Sequence, residues 1–224
     1  DKPGWLVCHP SKDGPWSSLV GAVKDWKQMD VSHLVSRLDR ETSGVILIAK
    51  HYDAASAAQT AMERRMVIKT YYALLKGELK EPVMVDQPLG PDETSQVVVK
   101  TAVREGPGTL PAATFFEPVL VRNGYTLARV QPHTGRKHQI RAHAFWLGYP
   151  VIGDKLYGGD DSLYMEFVAH GWTPRLGAAL EMGRQALHAA VLGFIHPVTG
   201  AALRLESTLP ADMAGLLVEL GNKS

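Results

Sequence analysis

Cysteine is almost missing from this chain: Cys8 is the only one in 224 residues. A single thiol excludes an internal disulfide framework and fits a reducing compartment, so a cytoplasmic protein is expected. On the apolar stretch "WLVCHP" it reads as a small core residue. Long hydrophobic runs are also missing. No apolar stretch approaches the roughly 20 residues of a membrane-spanning helix, which argues against a membrane partner. Internal repeats and low-complexity segments do not occur. Neither a glycine-rich dinucleotide fingerprint nor a phosphate-binding loop is present, so no nucleotide cofactor is expected.

One further absence is local. Between Glu117 and Asp154 no carboxylate occurs, whereas Arg122, Arg129, Arg136, Lys137 and Arg141 all fall there. The net charge of +1 hides this asymmetry. A one-signed segment suits an anionic partner, with RNA or DNA foremost. A solvated basic face balanced by acids elsewhere is the competing reading.

What is there fits a globular protein: 45% of residues are hydrophobic and 21% charged, and the length suffices for one good-sized core. One domain over residues 1–224 is expected. Its opening, "DKPGWLVCHP", reads as the inside of a strand and turn, so an upstream N-terminal segment is expected to be missing. Periodicity places helices on "SSLVGAVKDW", capped by Ser17 or Ser18, on "DAASAAQTAMERR", on "HQIRAHAFWLG" and on "PADMAGLLVELG". Strands are expected at "WLVCHP", "GVILIAK", "KTYYALLKG", "QVVVKTAV", "ATFFEPVLV", "YTLARVQ" and, around a Pro197–Gly200 turn, "ALHAAVLGFIHP" and "AALRLES". Consecutive strands with short turns predict antiparallel pairing and an α+β class. Residues 157–185, rich in glycine and polar groups, read as an irregular insertion.

Chemistry concentrates in two stretches. In "SHLVSRLDRETSG", Arg37 and Asp39 are two apart, and on extended backbone they point to the same side. Thr42, Ser43 and Gly44 supply hydroxyls and a permissive backbone that can hold the loop in shape. A turn aspartate or helix cap is the plainer role for Asp39. In "PHTGRKHQIRAHAFWLG", a Thr134-Gly135 turn opens a helix whose start carries Arg136, Lys137 and Arg141. Free backbone N–H groups and the helix dipole add to that positive field, so an anion belongs there. His133, His138 and His143 are spaced by five, which turns about 140° on a helix, so they do not converge on a metal. Tyr71 reads as a core aromatic, or as a ring that stacks on a base.

"SRLDRETSG" resembles the catalytic-aspartate signature His-Arg-Leu-Asp-x-x-Thr-Ser-Gly of the RluA-type pseudouridine synthases. "TGRKHQIRAHAFWLGYPVIGDKLYG" resembles the family's second hallmark, and "KTYYALLKG" its Lys-x-Tyr-x-Ala stretch. "DKPGWLVCHP" and "LHAAVLGFIHPVTG" resemble its opening element and closing strand pair. Ser36 stands where the family usually has His, and Lys137 where Thr is commoner. The resemblance implies a mainly antiparallel mixed sheet flanked by helices around a central catalytic cleft. It implies an isomerase that turns uridine into pseudouridine in ribosomal or transfer RNA, without metal or other cofactor. A catalytically inactive RNA-binding module of the same fold is the alternative. By position, Asp39 is the catalytic carboxylate, Arg141 its partner and Tyr71 the stacking ring. Arg37, Arg136, Lys137 and His138 are expected to face RNA. Lys2, Pro3, Thr42, Gly44, Gly135 and Ile140 are expected to support the site.

Overall fold

The computed structural model describes residues 1–9, 17–196 and 198–222. They pack as two compact units, one from Asp1–Thr70 and His188–Thr208, the other from Tyr71–Leu187 and the stretch that starts at Leu209. In chain order the first unit holds α1 (Leu19–Lys27), β1 (His33–Leu34), β2 (Ser43–Gly44), β3 (Ile48–Ala49) and α2 (Tyr52–Glu63). The strand β4 (Ile68–Lys76) leads into the second unit. There follow β5 (Val83–Asp86), β6 (Leu89–Pro91), β7 (Thr101–Val103), β8 (Ala113–Arg122), β9 (Tyr125–Pro132) and α3 (Gln139–Trp146). Then come α4 (Asp161–His170) and α5 (Pro174–Leu180). β10 (Leu187–Ile195) returns the chain to the first unit, which ends with β11 (Ala202–Glu206), and α6 (Ala211–Asn222) belongs to the second. The α+β class expected from the sequence is the one observed.

In the second unit, β4, β9, β8 and β5 lie side by side in that order, all antiparallel. The β8–β9 turn is Asn123-Gly124, with φ of 52° and 81°. Two positive φ values at a two-residue hairpin match the right-handed twist of the strands. A bulge between Pro118 and Leu120 accommodates a proline that cannot donate to the ladder. Residues 151, 152 and 186 extend the hydrogen bonding beside β4: Ile152 N to Leu74 O at 2.9 Å and Leu74 N to Ala186 O at 3.0 Å. Ala73, Leu74 and Leu75 are all fully buried, so the alternation read in "KTYYALLKG" does not separate a wet face from a dry one. Against this sheet pack Ile140 and Ala144 of α3, and Met213, Leu216 and Leu220 of α6, the last three at helical spacing along one stripe.

In the first unit, β11 pairs antiparallel with β10, and β2 pairs parallel with β10, Ser43 opposite His188 and Gly44 opposite Ala189. α1 begins as expected at Ser18, whose side chain accepts from Gly21 N. Lys24 and Lys27 in its last turn suit the negative end of the helix dipole.

Several expectations are corrected. Residues 157–185 are not irregular: α4 is capped by Asp160 and α5 by Thr173, with Pro174 in its first turn. Leu163, Leu176 and Leu180 give this pair a small core of its own. Of "QVVVKTAV" only Thr101–Val103 is strand, and Val98 is 94% exposed. A turn closed by Lys100 N on Val97 O takes the chain out of extended pairing there. "GVILIAK" is not one strand: Gly44 joins β10 while Ile48–Ala49 pairs with β1. "WLVCHP" contributes an isolated bridge from Val7 to Ser18; its Pro10, like Pro197 of the expected turn, lies outside the described residues.

Gly44 has φ of 109°, and a Cβ there would lie 2.1 Å from the Ala189 carbonyl oxygen. Gly44→Ala is therefore expected to cost about 3 kcal/mol or more of stability, from left-handed strain plus overpacking. Gly200, at φ of 70° with nothing within 4 Å among the described residues, should lose only about 1 kcal/mol as alanine. Urea midpoints of the two variants check the difference.

Candidate active site

Asp39 lies in the loop between β1 and β2, and its backbone is held from three directions. Leu38 O accepts from Cys8 Sγ at 3.2 Å, Asp39 O from Thr42 N at 3.1 Å, and Arg40 O from Lys2 Nζ at 3.0 Å. Lys2 is fully buried, and its ammonium also donates to Pro3 O and Leu6 O, each at 2.9 Å. The Lys2 backbone exchanges hydrogen bonds with Gly44, at 2.8 and 2.9 Å. On the far side of the loop, Ser43 Oγ lies 2.9 Å from His188 Nδ1, and Val45 N donates to Ala189 O at 2.8 Å. Thr42 is buried, Asp39 half-buried and Arg37 exposed. Arg40 pairs at 3.4 Å with the buried Glu41. Charged residues border the core here because the peptide oxygens of residues 38, 39 and 40 are each engaged. Cys8, expected to be simple core filler, takes part in that engagement.

Arg141 is carried by α3, whose entry is built on Gln139. The Gln139 side chain accepts from Arg136 N at 3.0 Å and from Thr134 Oγ1 at 2.6 Å. It donates to Ala113 O and to Thr114 Oγ1, both at 2.9 Å. Thr114 Oγ1 lies 2.8 Å from His143 Nδ1, and His143 Nε2 lies 3.0 Å from Gln87 O. A carbonyl only accepts, so Nε2 carries the ring proton and Nδ1 accepts from the threonine. Burial holds the His143 pKa below its ordinary 6.5, against the opposing pull of Gln87 and Asp86. With both ring nitrogens engaged inside the fold, His143 is a structural group.

Arg141 is 7% exposed, and its guanidinium meets Asp154 in a two-pronged pair, Nε to Oδ2 at 2.6 Å and Nη2 to Oδ1 at 2.8 Å. Asp154 is fully buried, and its Oδ1 also accepts from Leu156 N at 3.0 Å and Tyr157 N at 3.1 Å. The guanidinium carbon lies 5.0 Å from the centre of the Tyr157 ring. Burial pushes the Tyr157 hydroxyl up to about 12, while the Thr101 hydrogen bonds and the Arg141 charge pull it the other way.

The remaining expected residues divide between the units. Lys2, Pro3, Arg37, Asp39, Thr42 and Gly44 belong to the first; Tyr71, Gly135, Arg136, Lys137, His138, Ile140 and Arg141 to the second. Tyr71 stands opposite Val130 on β4, half-buried against the main core. Arg136 Nε donates to Pro111 O at 3.0 Å, Lys137 is exposed, and His138 Nδ1 lies 3.2 Å from the Tyr157 hydroxyl. Gly135 is exposed in the turn, and Ile140 is in the core. The carboxylates that bound the acid-free segment prove to be partners of its cations: Glu117 takes Arg129, and Asp154 takes Arg141. Asp154 is the residue that reading for chemistry missed. Its signal in the sequence is that it is the first carboxylate after a long stretch of unopposed cations. Among the described residues no group of three or more His, Cys, Asp or Glu could hold a metal ion.

The family described as RNA pseudouridylate synthase matches residues 1–145. The uncharacterized RNA pseudouridine synthase YjbO of Bacillus subtilis is 35% identical over 222 residues, covering 97% of this chain and 71% of that protein. A ribosomal large subunit pseudouridine synthase D of Vibrio parahaemolyticus is 31% identical over 221 residues, covering 96% of this chain and 65% of that protein. The chain thus spans about two thirds of the length of such relatives. Human RNA Pseudouridylate Synthase Domain Containing 4 superposes with a TM-score of 0.76 at 26% identity, over 98% of this chain and 88% of that one. Human RNA Pseudouridylate Synthase Domain Containing 1 shares the fold, with a TM-score of 0.68 at 24% identity, over 99% and 90%.

His143 generates a pH prediction. Its pKa is lower folded than unfolded, so the unfolded chain binds more protons below 6.5. Stability contributed by the neutral ring is complete above that pH and falls as the pH drops below it. Urea unfolding at pH 7.5 and 5.5 should show this loss, and His143→Gln should shrink it.

Proposed function

Because the chain belongs to the RNA pseudouridylate synthase family, a family of isomerases, we propose that it converts uridine to pseudouridine in ribosomal RNA. The loop geometry at Asp39 carries the reading: the peptide oxygens of residues 38, 39 and 40 are each tied down, so the carboxylate is aimed by a fixed backbone. The names of relatives such as the Vibrio synthase D favour ribosomal over transfer RNA. The two units serve as one catalytic domain, between which the chain passes at residues 70, 187 and 208, and the protein acts in the cytoplasm.

The reaction breaks the bond from a ring nitrogen of uracil to the ribose, turns the base and rejoins it through a ring carbon. That carbon loses a hydrogen and the freed nitrogen gains one. Nothing is oxidised, and no cofactor is consumed. A stacked uracil is out of reach, so the nucleotide must leave the helix, at a cost of a few kcal/mol. Tyr71 stacks on the extruded base, which returns about 1–3 kcal/mol. Arg37 fills the vacated space with a positive charge. Asp39 must be ionised to attack the sugar or to remove a proton. Desolvation opposes ionisation, and a cation in the site, Arg141, favours it. Arg136, Lys137 and His138 neutralise backbone phosphates.

Incubation with ribosomal RNA fragments should yield pseudouridine. Asp39→Asn should leave RNA affinity unchanged and lower turnover by at least about 100-fold. Wild-type turnover in that variant would overturn the role of Asp39, and product formed from transfer RNA alone would overturn the substrate. RNA binding without product in the wild type would leave the inactive RNA-binding module.

A further inference from the structure

We infer that Asp154 is a positioning residue for the reaction, acting through Arg141; the inference rests on the function proposed above. A guanidinium has two edges. Asp154 occupies the Nε–Nη2 edge with both carboxylate oxygens, and a two-pronged pair of this kind fixes the plane as well as the place of the cation. Nη1 and the second hydrogen of Nη2 stay on the other edge. Arg141 thus arrives with its direction set before any RNA is bound.

Asp154 is itself hard to move. Two backbone N–H groups, of Leu156 and Tyr157, hold its Oδ1. The preceding Gly153 has φ of 75°, and a Cβ there would fall 1.9 Å from Arg184 O. The following Lys155 is buried, donates to Gly183 O at 2.6 Å and lies over the rings of Phe167 and Trp172, at 4.6 and 5.5 Å. Those rings belong to α4 and to the turn before α5. The helical insertion therefore braces the segment that aims the arginine. The carboxylate, its neighbours on both sides and a helix pair all restrict the same plane.

A double-mutant cycle on turnover tests this, with Asp154→Asn made in the wild type and in an Arg141→Met background. Removing the fork should lower kcat by about 100-fold while KM for RNA stays within about twofold. In the Arg141→Met background the same change should alter kcat by less than about twofold. Equal losses in the two backgrounds, or a near-wild-type kcat in Asp154→Asn, would overturn the inference. Should Asp154→Asn not fold, Asp154→Glu keeps the charge but displaces the fork. Its kcat should fall with the fold intact, and a wild-type kcat would sink the idea. A wild type inactive on every RNA would refute the proposed function instead. The Arg141 Nε–H resonance then decides whether Asp154 holds the side chain. It should exchange slowly in the wild type and be lost in the variant; the same signal in both would end the inference.

Discussion

A guanidinium taken out of water has to be matched by a carboxylate of equal burial, and the bond between Arg141 and Asp154 meets that demand in the second unit. Taking away one partner of such a pair leaves an uncompensated charge and costs about 3–5 kcal/mol. Arg184 and Asp212 form the same fork, at 2.6 and 2.7 Å. There, however, the Asp212 side chain is 48% exposed, so water competes and the bond contributes much less. Burial, not geometry, separates the two. Around the buried fork the unit arranges its turn at Gly153, the ring of Tyr157 and the two helices of the insertion.

The two charged groups proposed to carry the chemistry are held by opposite means. Asp39 is held through its main chain, by Lys2, Cys8 and Thr42 on consecutive peptide oxygens. Arg141 is held through its side chain. The difference follows from side-chain length. An aspartate has two rotatable bonds, so fixing the backbone nearly fixes the carboxylate. An arginine has four, and a rigid helix alone would leave its end free to wander.

Much of this was legible in residue order. Strong periodicity gave α1, α3, α6 and the β8–β9 and β10–β11 pairs, and the Asp39 and Arg141 stretches stood out by charge between apolar runs. Three kinds of information were hidden. The α4–α5 pair was masked by glycine and polar residues, because its caps, Asp160 and Thr173-Pro174, also read as turn signals. In "QVVVK" the β-branched valines join no ladder among the described residues, and propensity alone does not make a strand. The bond of Asp154 to Arg141 spans 13 positions and depends on a tight turn at Gly153, which no local pattern announces. Lys2 was marked by resemblance alone; that its ammonium meets three carbonyl oxygens is a matter of tertiary structure.

The parallel pairing of β2 with β10 brings Ser43 and Gly44 beside His188 and Ala189, partners 145 positions apart in the chain. On a ribosome adding about 5–20 residues per second, this interval is on the order of ten seconds. The nascent Asp39 loop spends that time without the strand that completes its sheet. Contacts this distant in sequence also raise the entropic barrier to folding. The loop that carries Asp39 is thus completed late, after residues 71–187 of the second unit have been made but before α6 can join that unit's core.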